Sequence, residues 1–255
     1  MMRAWGITDI GLRRRENQDT YAFAHLEEAG IVAAVVCDGM GGVSGGKLAS
    51  SIAAGVFMDE LRPMLHTGLS REDNGKAQVL SASHANRAVF ERAQGDEMLH
   101  GMGTTLVSAV VTENEAVICN VGDSRAYFIG EAGIYRITRD HSVVESMVAS
   151  GDLTPEQARN HPSRNLITRA LGPERFIDSD LFAVALAEGD ALLLCSDGLT
   201  VAMEDEEILK VLRSEADGEK ALERLIALTL ANGAPDNVTI VLIRHERGGE
   251  SAWTA

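Results

Sequence analysis

The stretch AVICNVGDSRAYFIG, residues 116–130, holds two apolar runs, 116–122 and 125–130, parted only by Asp123 and Ser124. Val, Ile, Tyr and Phe fill the runs and a Gly-Asp pair interrupts them, the pattern of two strands with a tight connection. The spacing predicts a hairpin, and a hairpin makes antiparallel neighbours. Working outward, runs of the same kind recur at 4–8, 20–26, 31–37, 105–111, 133–138, 181–187, 191–195 and 237–243. Helical spacing appears at about 45–65, through Leu48, Ile52, Val56 and Phe57, and at about 75–94, through Val79, Ala82, Val89 and Phe90. It returns at 204–214 and at 218–231, where Leu222, Leu225, Ile226 and Leu230 make the apolar face. Strands, two helices, many strands, then helices and a last strand do not alternate as a doubly wound parallel sheet does. The order predicts an α+β layered fold with antiparallel sheets.

No Pro- or Ser-rich linker and no internal repeat divides the chain, so a single domain is expected over 1–245, with 246–255 a patternless, mobile tail. A polar segment interrupts the strand regions at about 142–165 and reads as a flap. Within it Thr154, Pro155 and Gln157 spell a helix start, with Thr154 as the cap.

The 255 residues carry 23 basic and 38 acidic side chains, a formal charge of −15. That balance argues against nucleic acid or an anionic membrane as partner, since phosphate binding on that scale needs clustered Lys and Arg. Apolar runs such as IVAAVVC and ALLLC fall far short of the ~20 residues that span a bilayer. The N-terminal residues lack a signal-peptide core, and a soluble, cytoplasmic protein is expected. Cys37, Cys119 and Cys195 are widely spaced within apolar runs and read as small buried hydrophobes, not as disulfides or metal ligands.

Chemistry enters where strands end. Three apolar runs lead straight into an aspartate, at Asp38, Asp123 and Asp197, and Asp236 precedes a fourth. One Asp-Gly after a strand is ordinary turn chemistry. Four acidic strand ends can converge on one rim, and crowded carboxylates repel one another unless a cation neutralises them. With no His or Cys at ligand spacing, an oxygen-only site suits Mg²⁺ or Mn²⁺ better than Zn²⁺. Near the N-terminus, Arg13, Arg14 and Arg15 stand out in an acidic chain. They read either as a solvated turn or as the source of one phosphate-gripping guanidinium.

Eight stretches together carry a family resemblance: TDIGLRRRENQD (8–19), VVCDGMGG (35–42), GMGTTL (101–106), NVGDSRAY (120–127), TRDHS (138–142), NLITRALG (165–172), LLLCSDGL (192–199) and APDNVTIV (234–241). In this order they resemble the PPM-type, or type-2C, metal-dependent protein Ser/Thr phosphatases of bacteria. The resemblance implies a four-layer α-β-β-α sandwich with two Mn²⁺ or Mg²⁺ ions per chain, and a third, weaker one, at one rim. Carried over by position, Asp38 would bridge two ions, the Gly39 carbonyl would join it, and Asp197 and Asp236 would complete the set. Asp19 would act through a water, Asp123 would hold the third ion, and Arg14 would grip phosphate. The implied reaction is hydrolysis of phosphoserine and phosphothreonine in proteins, a metal-bridging water attacking phosphorus with no covalent intermediate. The implied partners are phosphorylated proteins, a Ser/Thr protein kinase and its substrates, and the chain is expected to be a monomer.

Two departures stand in the sequence. Met40 occupies the place of a histidine found in eukaryotic relatives, and Val43 and Lys47 replace a histidine and a glutamate frequent in bacterial ones. Two other classes stay open at this level: a non-hydrolysing phosphoprotein binder, and a hydrolase of small phosphate esters. The intact aspartates and Arg14 speak against the first. His141 and His161, at the ends of the flap, read as ordinary surface or hydrogen-bonded histidines, with a role in ordering the flap as the alternative.

Overall fold

The computed structural model describes residues 1–246, the side chains of residues 42–44 excepted. The chain runs through β1 (Met2–Asp9), β2 (Asp19–Leu26) and β3 (Ile31–Met40), then α1 (Gly42–Leu61) and α2 (Arg71–Gln94). Next come β4 (Gly103–Thr104), β5 (Leu106–Val111), β6 (Glu115–Val121), β7 (Arg125–Gly130) and β8 (Gly133–Arg136). The segment expected to form a flap holds α3 (Val143–Ser150) and α4 (Pro155–Arg159), before β9 (Asp180–Ala185) and β10 (Ala191–Cys195). The last elements are α5 (Asp197–Ala202), α6 (Asp205–Ser214), α7 (Gly218–Ala231) and β11 (Val238–His245). The tail expected over 246–255 lies, Glu246 apart, outside the described residues.

One sheet has the order β1-β11-β10-β7-β8 and the other β2-β3-β5-β6-β9, with the short β4 on β3. Every pairing is antiparallel. Alternation along β3 shows how the layers form. Val32, Ala34 and Val36 face the other sheet, where they meet Leu192, Leu194, Val241 and Ile243. Ala33, Val35 and Cys37 face α1 and α2 instead, against Phe57, Leu61 and Val89. On the far side Tyr127, Leu193 and Ile240 pack under Leu199, Leu222 and Leu225 of α5 and α7. Helices, sheet, sheet, helices: the expected four-layer sandwich is present. All three cysteines are free and buried in its strands. Among the described residues no helix is long and apolar enough to cross a membrane.

Two expectations are corrected. The runs 116–122 and 125–130 are not a hairpin: β6 pairs with β5 and β9, whereas β7 pairs with β8 and β10 in the other sheet. The connection 122–124 crosses between sheets. Gly122 makes the crossing possible at φ +106°, where a side chain would also run into Thr105. The Ser124 hydroxyl sits 2.7 Å from that of Thr105, pinning the crossing to the six-stranded sheet. Two strands about three residues apart look alike in sequence whether they turn or cross. Here both are buried on both faces and each finds two other neighbours.

The second correction concerns α2. Ala82 and Val89 are buried as expected, but Val79 is exposed, and the rest of the buried face is made of Asn74, Gly75, Ala77, Gln78, Ser81, Ala85, Asn86 and Ala93. Polar side chains are accommodated there because each finds a partner. Gln78 donates to Asn74 Oδ1 and to the Val117 carbonyl, and accepts from the Ser108 hydroxyl.

Candidate functional site

Both sheets send acidic residues to one rim. Asp19 and Asp38 sit opposite each other on the neighbouring strands β2 and β3. Asp197 opens α5 directly after β10, and Asp236 stands two residues before β11, the strand beside β10. Asp123 lies in the crossing between the sheets. The site is therefore assembled from the ends of both layers.

Hydrogen bonds fix the backbone around Asp38. Its N–H donates to the Thr105 hydroxyl at 2.9 Å, and its carbonyl accepts from the Thr104 hydroxyl at 2.9 Å. The next residue must be glycine, because a Cβ on Gly39 would run into the carbonyl oxygen of Gly46. Asp19 is buried; Oδ2 accepts from the Ser196 hydroxyl at 2.8 Å, which itself accepts from the Thr239 N–H at 3.0 Å. Thus β2 of one sheet is tied to the end of β10 in the other. Lys47 donates to the Asp19 carbonyl at 2.9 Å, so a cation stands behind the cluster.

The carboxylates are electrostatically strained. Burial, followed by the charges of Asp19, Asp197, Asp123 and Asp236, holds the Asp38 carboxyl well above the usual range. Burial, then Asp123, Asp236 and Asp19, does the same to Asp197. Asp19 is pushed up to about 6, chiefly by burial, against the lowering effect of its Ser196 hydrogen bond. Asp123 also stands at about 6, raised by burial and by Asp140.

Two oxygens of this set, Asp19 Oδ1 and Asp197 Oδ1, are buried with no hydrogen-bond partner. Buried acceptors left unpaired are costly and rare. Hard oxygen donors, mutual repulsion and orphaned lone pairs fit a hard divalent cation. Among the described residues, no three His, Cys, Asp or Glu side chains are drawn into a closed ion-holding group. The fit rests on donor chemistry and the orphaned oxygens.

Arg14 stands at the rim, half-exposed, with Nη2 2.5 Å from Asp236 Oδ2. That hydrogen bond and the nearby charges of Asp236, Asp38 and Asp197 raise its pKa further. Arg13 and Arg15 are exposed neighbours. The loop carrying all three is held by Asn237, which sequence reasoning passed over. Its Oδ1 accepts from the Gln18 N–H at 2.9 Å, and its Nδ2 donates to the carbonyls of Ile10 at 2.9 Å and Glu16 at 3.0 Å. Its position directly after Asp236, in APDNVTIV, was the available signal.

His141 is also more than an ordinary histidine. Buried at the start of the flap, its Nδ1 accepts from the Gly122 N–H at 3.1 Å while Nε2 lies 3.2 Å from Asp180 Oδ2. It thereby joins the crossing that carries Asp123 to the flap. The His161 ring accepts from the nearby Ser163 N–H. Between the flap and α5 lies a cavity of about 630 Å³ with Asp123 and Asp197 in its wall.

Residues 13–237 match the family model "Protein phosphatase 2C". The chain is 34% identical over 246 residues to the serine/threonine phosphatase stp of Listeria monocytogenes, covering 96% of each. The solved serine/threonine phosphatase Stp1 of Staphylococcus aureus superposes with a TM-score of 0.88 at 37% identity, over 97% of this chain and 96% of that one. The catalytic domain of the phosphatase PstP, solved in complex with two manganese ions, superposes with a TM-score of 0.83 at 31% identity, over 96% of this chain and 99% of that one.

Proposed function

We propose, for a chain that belongs to the protein phosphatase 2C family and is a protein Ser/Thr phosphatase, that hydrolysis is metal-dependent and occurs at the aspartate rim. The observation that carries this is the pair of orphaned buried oxygens, Asp19 Oδ1 and Asp197 Oδ1, inside a set of mutually repelling carboxylates. Asp38, the Gly39 carbonyl, Asp197 and Asp236 would hold two Mn²⁺ or Mg²⁺ ions, Asp19 would act through a water, and Asp123 would contribute to a third, weaker site. Bound there, divalent cations acidify water and neutralise phosphoryl charge, which permits direct attack on phosphorus.

The chain's own residues supply the rest. Arg14 moves from Asp236 to the phosphoryl oxygens, a planar fork exchanging one anionic partner for another. Asn237 holds the Arg14 loop at its working distance, and Ser196 keeps Asp19 oriented. The three cysteines take no part: burial pushes the Cys119 and Cys195 thiols up to about 12, and Cys37 higher still. The reading extends to one domain over 1–245 with a flap at 142–165, acting as a cytoplasmic monomer on phosphoproteins and opposing a Ser/Thr protein kinase.

The test is hydrolysis of p-nitrophenyl phosphate and of a phosphothreonine peptide, each with Mn²⁺ and with EDTA. Activity on both that vanishes with EDTA is expected. Activity that persists in EDTA would remove the ions from the reaction.

A further inference from the structure

Residues 167–171 run along the rim between two backbone bridges, Ser142 with Ile167 at the flap end and Thr104 with Leu171 at the other. Thr104 and Leu171 exchange both N–H···O bonds, at 3.0 and 2.8 Å, and the Thr104 hydroxyl donates to the Asp38 carbonyl at 2.9 Å. The segment is therefore separated from Asp38 by a single hydrogen-bonded strand.

After Leu171 the chain forms a loop held from beneath by Asn86 of α2. This buried amide accepts from the Gly172 N–H at 2.8 Å and donates to the carbonyls of Glu174 and Arg175 at 3.1 Å each. Three backbone ties from one buried side chain make the loop a rigid platform. On it Phe176 is 78% exposed, with the Arg175 guanidinium 5.6 Å from its ring centroid. Beside Phe176 is a hollow of about 300 Å³ with an apolar wall of Met40, Ile167, Pro173 and Ile177 and a polar wall of Thr168, Arg169, Glu174 and Asp178.

A lone exposed aromatic is common and needs no explanation. This one differs because the loop beneath it is tied at three points, it borders a concavity one wall of which is apolar, and Met40 lines that same concavity. Met40 lies two residues beyond Asp38 on β3, about 7 Å along an extended strand. A small phosphate ester centred on the aspartates has nothing to place there. A phosphoprotein carries chain on both sides of its phosphorylated residue, and that chain must lie across the same rim.

The geometry points to a docking site, formed by Phe176 and the Met40–Ile177 hollow, for a large apolar side chain of the substrate within about four residues of the phosphorylated one. This rests on the aspartate rim being the catalytic site. Phe176 closes over the incoming side chain as an aromatic wall, and the Asn86 ties hold the wall in place before binding, so little ordering is required of the protein.

The experiment uses phosphothreonine peptides in a Gly/Ser background, with leucine placed in turn at each of four positions on either side. Wild type, Phe176→Ala and Phe176→Leu are compared with Mn²⁺, and each peptide kcat/KM is divided by that for p-nitrophenyl phosphate. Phe176 lies outside the core, so neither substitution threatens folding. One leucine position should raise the wild-type ratio by about tenfold; Phe176→Ala should lose most of that gain and Phe176→Leu keep it. A wild-type ratio indifferent to leucine, or an Ala variant with the full gain, overturns the docking site. Binding of the same peptides in EDTA, read by fluorescence anisotropy, separates the two levels. Protein that prefers the leucine peptide yet hydrolyses nothing keeps the docking site and fails only the catalytic reading.

Discussion

Like charge converges on Asp38, with four other aspartates acting on it in addition to burial. Replacing it with asparagine keeps size and hydrogen bonding while removing one charge. Asp38→Asn should therefore fold normally, by circular dichroism, and lose hydrolysis of p-nitrophenyl phosphate by at least about a hundredfold. A folded variant with wild-type turnover would dismiss Asp38 from the reaction. Asp123 offers a pH test whose sign is fixed. Its folded-state pKa of about 6 lies above the unfolded value of about 3.9, so the folded protein binds the extra proton more tightly. The ionised carboxylate thus costs no stability below about pH 4, an increasing amount between 4 and 6, and its full cost above 6. In EDTA, Asp123→Asn should melt above wild type at pH 7, the gap closing towards pH 4. An equal gap at both pH values would mean that the Asp123 carboxyl is not strained as described.

Between the residues and the fold stand the loops, and Asn237 shows how much one of them depends on a single side chain. It satisfies one N–H and two carbonyls of the segment 10–18. Asn237→Ala should cost about 2 kcal/mol in urea denaturation, and raise KM for p-nitrophenyl phosphate more than it lowers kcat, because Arg14 is then held loosely. An unchanged KM would separate this loop from phosphate binding. In the flap, Thr154 and Gln157 cap α4 reciprocally, Thr154 N–H to Gln157 Oε1 at 2.8 Å and Gln157 N–H to Thr154 Oγ1 at 3.2 Å. Thr154→Ala should speed amide hydrogen exchange across 155–159, by an amount matching about 1 kcal/mol, and leave the global melting temperature unmoved. That box was legible because capping is local. So were most strands, since an apolar run must be buried wherever it ends up. The destination of β7 was not legible: the short connection after Val121 serves a hairpin or a sheet-to-sheet crossing equally, and distant partners decide. Nor was the buried face of α2, where Gln78 and Asn86 are tolerated only through acceptors and donors that the fold brings to them. The same limit governs the site: the aspartates announce themselves at strand ends, but Asn237, Ser196 and Thr105 work through contacts across 219, 177 and 67 residues.

At the scale of the whole molecule, the site lies where two sheets meet, and this would give ions bound there a structural role. Asp19 and Asp38 belong to the six-stranded sheet, whereas Asp197 and Asp236 flank strands of the five-stranded one. The Ser196 hydroxyl on Asp19 Oδ2 is one direct tie between the two acidic pairs. A divalent cation shared by both pairs would add a cross-link between layers and remove repulsion that otherwise pushes them apart. Any ligand that binds only the folded state stabilises it, by about 2.7 kcal/mol at a hundredfold excess over Kd. For a chain of this size that corresponds to a rise in melting temperature of roughly 5–10 °C. Mn²⁺ should produce such a rise and EDTA should reverse it. Because sharing requires both layers, Asp38→Asn and Asp236→Asn should each abolish most of the rise, although they lie on different sheets. If one variant lost the rise and the other kept it in full, the ions would belong to a single sheet and the cross-link between layers would not exist.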